Sequence, residues 1–314
     1  MLGILESKEK MVRIVPKKTA ILNEIVDFYM TSKSFCKLKP NTQRDYEVHL
    51  AAACTTLVDG KPLGKYKVSR IKAMHMQQAY DQWLERGTRT ANYRKAVVSC
   101  AWKYALRYDI MITDPVRAIK TESSQPRKVK WTRDQVRQFL DTAHNEYKWR
   151  SIGLIVHMAY DWGQRVGDMR LLKWNAINFD ESRVDITQSK RSADVHLPIS
   201  PGLLEVLKHQ KEDFDFQEYV VPKPYPRAGA YVPYSKYEIS PVINKILREA
   251  NLPHELTAMD LRRTAVSEMM EGGADLVGIM QVTGHRNPQS VKPYMVNTYN
   301  GACLALATRG ESDE

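Results

Sequence analysis

A short polar segment divides this chain, and it constrains the fold more than any other feature of the sequence. Residues 121–130 have the sequence TESSQPRKVK, a basic and proline-containing composition typical of a linker. On both sides of it, apolar residues recur at helical spacing. The 314 residues suffice for two domains with separate cores. We therefore predict an N-terminal domain of residues 1–120, ordered from about residue 20, a linker, and a second domain of residues 131–314.

The N-terminal domain is predicted to be a bundle of four amphipathic helices. Ser69 is expected to cap the third helix and Gly87 to end it. The inward faces carry apolar and aromatic residues at helical spacing, which indicates a packed core. These residues are Ile21, Ile25, Phe28 and Tyr29, then Tyr46, Leu50 and Ala53, then Met76, Tyr80, Trp83 and Leu84, and finally Val97, Ala101, Tyr104 and Tyr108.

Positive charge is concentrated in this first domain. Residues 1–120 hold 22 Lys and Arg against 11 Asp and Glu, whereas residues 121–314 hold 25 of each, so the net charge of +11 arises entirely in the first domain. Such an excess suits a module that binds a polyanion such as DNA, although a solvated lysine-rich surface is the alternative. The candidate DNA-binding residues are Arg89, Arg94, Lys95 and Lys103.

The second domain is predicted to be mostly helical with one small antiparallel sheet. Thr132 and Gln135 form a capping box at the start of its first helix. Between residues 184 and 199 the apolar period changes to two, which predicts a β-hairpin with Lys190 at its turn. The predicted fold class is therefore mainly α in two domains, a helical bundle followed by a mixed α+β domain.

The usual signatures of nucleotide- and metal-dependent strand cutting are missing from the sequence. It contains no Walker loop, no HExxH motif and no paired metal-binding carboxylates, and its four cysteines are widely scattered. We therefore expect neither a cofactor nor a metal site. Metal-free phosphoryl transfer needs a nucleophile, cations that neutralise phosphate oxygens, and a proton donor for the leaving oxygen.

Four short motifs of the second domain offer groups of these kinds. Taken alone, each motif is explained at least as well by a structural or solvated side chain as by a catalytic one, because surface ion pairs and turn lysines are common. In chain order the motifs contain Arg165 with Asp168 one turn later, Lys190 in the hairpin turn, Arg262 and Arg263 after the candidate helix cap Thr257, and His285 after Thr283-Gly284, nine residues before Tyr294, with which Tyr299 competes.

Taken together and in this order, the motifs closely resemble the catalytic domain of the tyrosine recombinases, which include the phage-type integrases. The resemblance covers most of residues 130–300, and residues 20–115 resemble the core-binding domain of that family. It implies an enzyme that cleaves and rejoins DNA through a 3′-phosphotyrosine intermediate. It also implies a role for each residue. Arg165 and Arg262 clamp the phosphate, supported by Asp168, and His285 donates a hydrogen bond to it. Lys190 is the general acid, Tyr294 is the nucleophile, and Arg263 contacts the DNA backbone.

One position departs from the family pattern. The family usually has histidine three residues before the second arginine, and this sequence has Met259 there. A thioether cannot donate or transfer a proton, so the general base for Tyr294 is in doubt. His254 lies five residues upstream, but the predicted helix start between the two positions points it elsewhere.

The resemblance also implies partners and leaves alternatives open. It implies duplex DNA as substrate, a tetramer of this chain on two duplexes, and accessory DNA-bending proteins. The apolar residues Ala302, Leu304 and Leu306 are candidates for docking on a neighbouring subunit. The alternatives are a type IB topoisomerase, a recombinase-derived DNA-binding protein without activity, and a metal-dependent nuclease.

The sequence also bears on location and source. It holds no apolar run of the ~20 residues that span a bilayer, so we expect a cytoplasmic protein of a prokaryotic cell or a phage-infected host, without a membrane partner. Neither the target sequence, the direction of reaction nor the source element follows from the residues.

Overall fold

The chain folds into two units, Met1–Gln125 and Pro126–Glu314, each with its own hydrophobic core. The computed structural model describes residues 16, 19–124, 127, 129–189, 193–292, 302–303 and 306–307. Within these ranges, no helix is long and apolar enough to cross a membrane.

The first unit is a helical bundle with a two-stranded hairpin. Its helices are α1 (Leu22–Met30), α2 (Lys33–Cys36), α3 (Pro40–Thr55), α4 (Ala73–Leu84) and α5 (Thr88–Leu106), and its strands are β1 (Leu57–Val58) and β2 (Lys61–Pro62). Helix α5 packs against α1, α3 and α4, and these four are the predicted helices, whereas the short helix α2 was not predicted. The predicted cap was wrong, because α4 begins after Lys72 while Ser69 lies in a 3-10 turn. Gly87 lies between α4 and α5 with φ +96°, which favours glycine.

The second unit combines helices with a three-stranded sheet. The helices are α6 (Arg133–His144), α7 (Tyr147–Asp161), α8 (Val166–Met169), α9 (Pro201–Phe214), α10 (Lys236–Glu249), α11 (Ala258–Glu271) and α12 (Leu276–Thr283). Helix α6 begins at the predicted capping box, where Thr132 Oγ1 accepts from the Gln135 N–H and the Gln135 side chain accepts from the Thr132 N–H.

The sheet contains the predicted hairpin. Strands β4 (Arg183–Thr187) and β5 (Asp194–Pro198) pair antiparallel, with Val184 opposite Leu197 and Ile186 opposite Val195. These four side chains are buried, because alternate residues of a strand point to the same face. A short strand β3 (Ile177–Asn178), which the sequence pattern did not predict, pairs with β4 on its other edge. The predicted fold class, mainly α with a small antiparallel sheet, is confirmed.

Candidate active site

Arg165 precedes α8 and serves as its N-cap residue. Its side chain is about one-quarter exposed, at 26%. Its Nη1 donates to Gln188 Oε1 at 2.8 Å, whereas Asp168 Oδ2 lies 3.9 Å away. Asp168 Oδ1 accepts instead from the Ser189 N–H at 3.1 Å. The nearer partner of Arg165 is therefore a neutral amide, and Asp168 mainly holds the end of strand β4.

Arg262 lies on the second turn of α11 and is buried, with 8% of its surface exposed. Nη1 donates to the Gly163 carbonyl at 3.1 Å, and Nη2 donates to the Thr283 carbonyl at 2.7 Å. Nη2 also lies 3.0 Å from His285 Nε2. These three partners are uncharged, so they orient the guanidinium without cancelling its charge.

His285 follows α12, which ends at Gly284 in the left-handed conformation with φ +67°. The Thr283 hydroxyl donates its single hydrogen to the Ile279 carbonyl at 2.6 Å and lies 2.7 Å from His285 Nδ1. The Thr283 oxygen therefore accepts from Nδ1–H, and Nε2 is left as the acceptor for Arg262. This arrangement corresponds to a neutral imidazole that helps to orient Arg262.

Shared neighbours bring these three side chains to one place. Arg262 binds the carbonyl of Gly163, two residues before Arg165. Both Arg262 and Gln188 donate to the Thr283 carbonyl, and Gln188 also accepts from Arg165. Two guanidinium groups and an imidazole thus converge, which is the chemistry of a site that binds a phosphate. In the part of the chain that the structure describes, no group of three or more His, Cys, Asp or Glu side chains could hold a metal ion.

Comparison with known proteins identifies the family. The model of the phage integrase family matches residues 130–300. The chain belongs to this family. The integrase of Escherichia phage HK022 is 26% identical over 189 residues, which are 60% of this chain and 50% of that protein. Tyrosine recombinase XerA of Thermococcus onnurineus NA1 is 24% identical over 277 residues, which are 87% of this chain and 90% of that protein. The chain thus spans about half the length of the phage integrase and most of the archaeal protein.

Solved structures of integrases share the fold. A lambda integrase dimer bound to a COC′ core site matches with a TM-score of 0.73 at 19% identity, over 88% of this chain and 77% of that one. The Tn1549 transposon integrase in complex with a circular intermediate DNA matches with a TM-score of 0.75 at 13% identity, over 92% and 99%. The predicted family and fold are confirmed by these relatives.

Arg262, the second arginine of the candidate site, lies on a firmly fixed helix. Asp260 accepts from the N–H and hydroxyl of Thr257, which confirms the predicted start of α11. Arg127 binds the same carboxylate through Nε and Nη2, and hydrogen bonding to Asp260 raises the pKa of this arginine. Trp131 Nε1 donates to the Thr257 carbonyl at 3.0 Å. The end of the predicted linker thus lies along the helix that carries Arg262, a contact that composition did not indicate.

The position where the integrase family usually has histidine is open to solvent. Met259 is 80% exposed on the first turn of α11, three residues before Arg262. The His254 side chain is 97% exposed and lies 3.8 Å from Glu255. Met259 has no group that can accept a proton, and the His254 side chain faces solvent, so neither is a positioned base.

The structure describes some of the remaining predicted residues and not others. Lys190, Tyr294, Tyr299 and Leu304 lie outside the described residues. Strands β4 and β5 bracket Lys190, with the Gln188 N–H donating to the Ala193 carbonyl at 2.9 Å. Arg263 is half-buried. Ala302 and Leu306 are exposed.

Arg94 differs from the expectation for an exposed basic residue. Arg89 and Lys103 are exposed and Lys95 is half-buried, but Arg94 is only 6% exposed and its guanidinium lies 5.5 Å from the ring centroid of Trp83. The helical period explains this, because position 94 falls on the buried stripe of α5 that includes residues 91, 98, 101 and 105. Burial lowers the pKa of Arg94. The side chain therefore packs against Trp83, and little of its surface is open to solvent.

Proposed function

We propose that this protein is a site-specific DNA recombinase that cleaves and rejoins one strand at a time through a 3′-phosphotyrosine at Tyr294. The observation that carries the proposal is the convergence of Arg165, Arg262 and His285, tied together through the Thr283 carbonyl and Gln188. Each interaction that strengthens as charge builds on the phosphate lowers the barrier.

The two arginines bind the scissile phosphate. The guanidinium of Arg262 is held in advance by two backbone carbonyls, so little reorganisation is needed when the phosphate arrives. His285 in its neutral form orients Arg262 through Nε2. The family resemblance implies that His285 donates a hydrogen bond to the phosphate. To do so through Nε2, the ring must carry a proton on Nε2 as well as on Nδ1.

Lys190 and Tyr294 carry out the transfer itself. Tyr294 loses its proton to water and its oxygen attacks phosphorus, the bond to the 5′ oxygen breaks, and Lys190 gives that oxygen its proton. In the second half of the reaction a 5′ hydroxyl gives its proton back to Lys190 and attacks the phosphotyrosine, and the released tyrosine oxygen takes a proton from water. One phosphodiester bond is exchanged for another of similar energy, so the reaction needs no ATP.

The substrate is duplex DNA, bound by the basic first unit, and the working assembly is a tetramer on two duplexes. Two features support this: the excess of positive charge in residues 1–120, and the structural relatives described as integrase dimers and tetramers on DNA. Accessory DNA-bending proteins and a cytoplasmic location belong to the same proposal.

A covalent adduct tests the proposal directly. A pool of nicked duplexes with randomised sequence at the nick is incubated with the protein, and DNA that becomes attached is recovered and sequenced. The nick lets a short fragment diffuse away, so the phosphotyrosine accumulates. Tyr294→Phe should abolish the adduct and keep DNA binding, because binding rests on many phosphate contacts and the chemistry on one oxygen.

Tyr299→Phe is the matched control and should leave the adduct largely intact. Exchanged results for the two variants would move the nucleophile to Tyr299. An adduct that persists in EDTA excludes a metal-dependent nuclease, and joining of two different duplexes separates a recombinase from a type IB topoisomerase. DNA binding without any adduct would favour the inactive DNA-binding protein, for which Met259 is the one argument.

A further inference from the structure

Gln188 is a polar side chain in a place where polar side chains are costly. It follows strand β4, two positions before Lys190, and is completely buried, at 0% exposure. A buried amide is stable only when its donors and acceptor are all paired. Gln188 meets this condition through residues of the candidate site.

Three hydrogen bonds saturate this amide. Gln188 Oε1 accepts from Arg165 Nη1 at 2.8 Å. Its Nε2 donates to Gln164 Oε1 at 2.7 Å and to the Thr283 carbonyl at 2.8 Å. One side chain thus joins the loop before α8, the end of β4 and the turn that carries His285.

The direction of this network is fixed. Gln164 Nε2 donates to the carbonyls of Trp162 and Val282, at 3.0 Å and 2.6 Å, so its Oε1 must face Gln188. That oxygen in turn requires the Nε2 of Gln188, which leaves only Oε1 to face Arg165. Reversing either amide would set donor against donor. Two backbone carbonyls therefore fix the orientation of Gln164, which fixes that of Gln188, so that an acceptor oxygen faces the guanidinium of Arg165.

The neighbouring backbone is also fitted to Gln188. A Cβ at Gly284 would lie 2.6 Å from Gln188 Nε2, closer than real Cβ contacts allow. The left-handed φ of +67° at Gly284 also disfavours other residues. The turn before His285 can approach this closely only because residue 284 has no side chain.

We propose that Gln188 is a positioning residue, which holds Arg165 in the orientation that binds the scissile phosphate and ties it to the His285 turn. The inference rests on the proposed recombinase function. Glutamate at 188 would keep an acceptor for Arg165 but lose both donors, and methionine would lose all three bonds. Neither change touches a group that contacts DNA in the proposed reaction.

A double-mutant cycle tests this in the full chain. The rate of adduct formation is measured at saturating protein on a nicked duplex that the wild type cleaves. Gln188→Met should slow it by on the order of 10²-fold, as the loss of a preorganised donor does, with the Kd for DNA unchanged within about twofold. In an Arg165→Ala background the same change should cost less than about threefold, because its effect passes through Arg165.

Gln210→Met is the matched control. Gln210 on α9 is equally buried, at 1%, and donates to the Val220 carbonyl outside the site. The Gln210→Met variant should lower the melting temperature, as Gln188→Met does, and leave the rate of adduct formation unchanged. Should Gln188→Met fold poorly, Gln188→Leu serves in the same cycle, because leucine also lacks all three hydrogen bonds, and the same loss of rate is expected.

The outcomes separate the two claims. If wild type and Gln210→Met form the adduct while the Gln188 defect is equal in both backgrounds, or absent, the positioning role is overturned and the recombinase stands. A substrate with sulfur as the bridging 5′ atom needs no proton donor at the leaving group. Full rescue of Gln188→Met by this substrate would assign the defect to Lys190 and overturn the role through Arg165. A wild type without adduct on any substrate overturns both proposals.

Discussion

At the scale of single residues, the two arginines are held in different ways. Arg262 is buried and binds two backbone carbonyls, whereas Arg165 is one-quarter exposed and donates a hydrogen bond to the side chain of Gln188. Lysine cannot make the bidentate fork of a guanidinium. The same substitution should therefore have different consequences at the two positions.

We expect Arg165→Lys to slow adduct formation by on the order of 10²-fold with little change in melting temperature. Arg262→Lys should slow it at least as much and also lower the melting temperature, because one ammonium group cannot bind both the Gly163 and Thr283 carbonyls, so a buried hydrogen bond is lost. Single-turnover cleavage and thermal melting measure both effects. Full activity of either lysine variant would argue for simple charge neutralisation.

The exposed Met259 leads to a prediction about pH. Without a positioned base, Tyr294 must lose its proton to water, so the wild-type cleavage rate should keep rising with pH above neutrality. Met259→His supplies an imidazole that is deprotonated above about pH 6.5, so its rate should be higher near neutral pH and level off earlier. Adduct formation between pH 6 and 10 measures both profiles.

His254→Ala is the control for this profile and should change little, because that side chain is 97% exposed beside Glu255. If the wild type forms no adduct at any pH and Met259→His restores it, the natural protein is a DNA-binding relic. The enzyme proposal would then fail for this chain.

Residue types also explain how much of the site the sequence could reveal. Arginine and histidine stand out in a motif, so Arg165, Arg262 and His285 were predicted and do lie together. Gln188 was missed because an amide gives no hydropathy signal of burial, and its partners are distant in the chain. The burial of Arg94 was not predicted because charge suggests exposure, whereas its helical position is on the buried stripe.

At the scale of elements, helices α6 and α7 pack two histidines into the second unit. The rings of His144 and His157 lie 6.4 Å apart, and His144 Nε2 and His157 Nδ1 are buried without a hydrogen-bond partner among the described residues. Burial lowers the pKa of His144 to about 4, with His157 and Arg150 contributing, and burial also lowers the pKa of His157. Both side chains are therefore neutral in the folded protein at neutral pH.

This pair should make the second unit acid-labile. The unfolded chain binds protons near pH 6.5, and folded His144 binds one only near pH 4, so the unfolded state holds more protons in between. The free energy of unfolding should then fall as pH drops from about 6.5 toward 4. His144→Gln should flatten this dependence, and His254→Gln should leave it unchanged. Urea unfolding of the full chain at several pH values measures the slope, and equal slopes in all three proteins would contradict the assignment.

Element length decides what the sequence could predict at this scale. Long amphipathic helices and the five-residue strands of the hairpin have a readable period, so they were predicted. Strands β1, β2 and β3 have two residues each, too few for any period. The contact of Arg127 with Asp260 joins segments 133 residues apart and leaves no local pattern.

At the scale of the whole molecule, charge and chemistry are divided between two units. The first has its own core and carries the excess of basic residues, and the second contains the arginines and histidine of the candidate site. Non-specific affinity for DNA grows with the number of phosphates neutralised. Binding and cleavage should therefore be separable by expressing the units apart.

We predict that residues 1–125 alone bind duplex DNA with a steep dependence on salt, and that residues 126–314 bind more weakly. Fluorescence anisotropy at several salt concentrations gives the slope of log affinity against log salt. Removing one exposed phosphate contact, by Arg89→Ala or Lys103→Ala, should weaken binding to all sequences alike and reduce the slope by about 1. Arg94→Met is the matched control, since that side chain packs on Trp83, and it should lower the melting temperature while leaving the slope unchanged. Equal affinities of the two units across the salt series would mean that net charge does not locate the DNA. The interface would then have to be sought on the second unit as well as on the first.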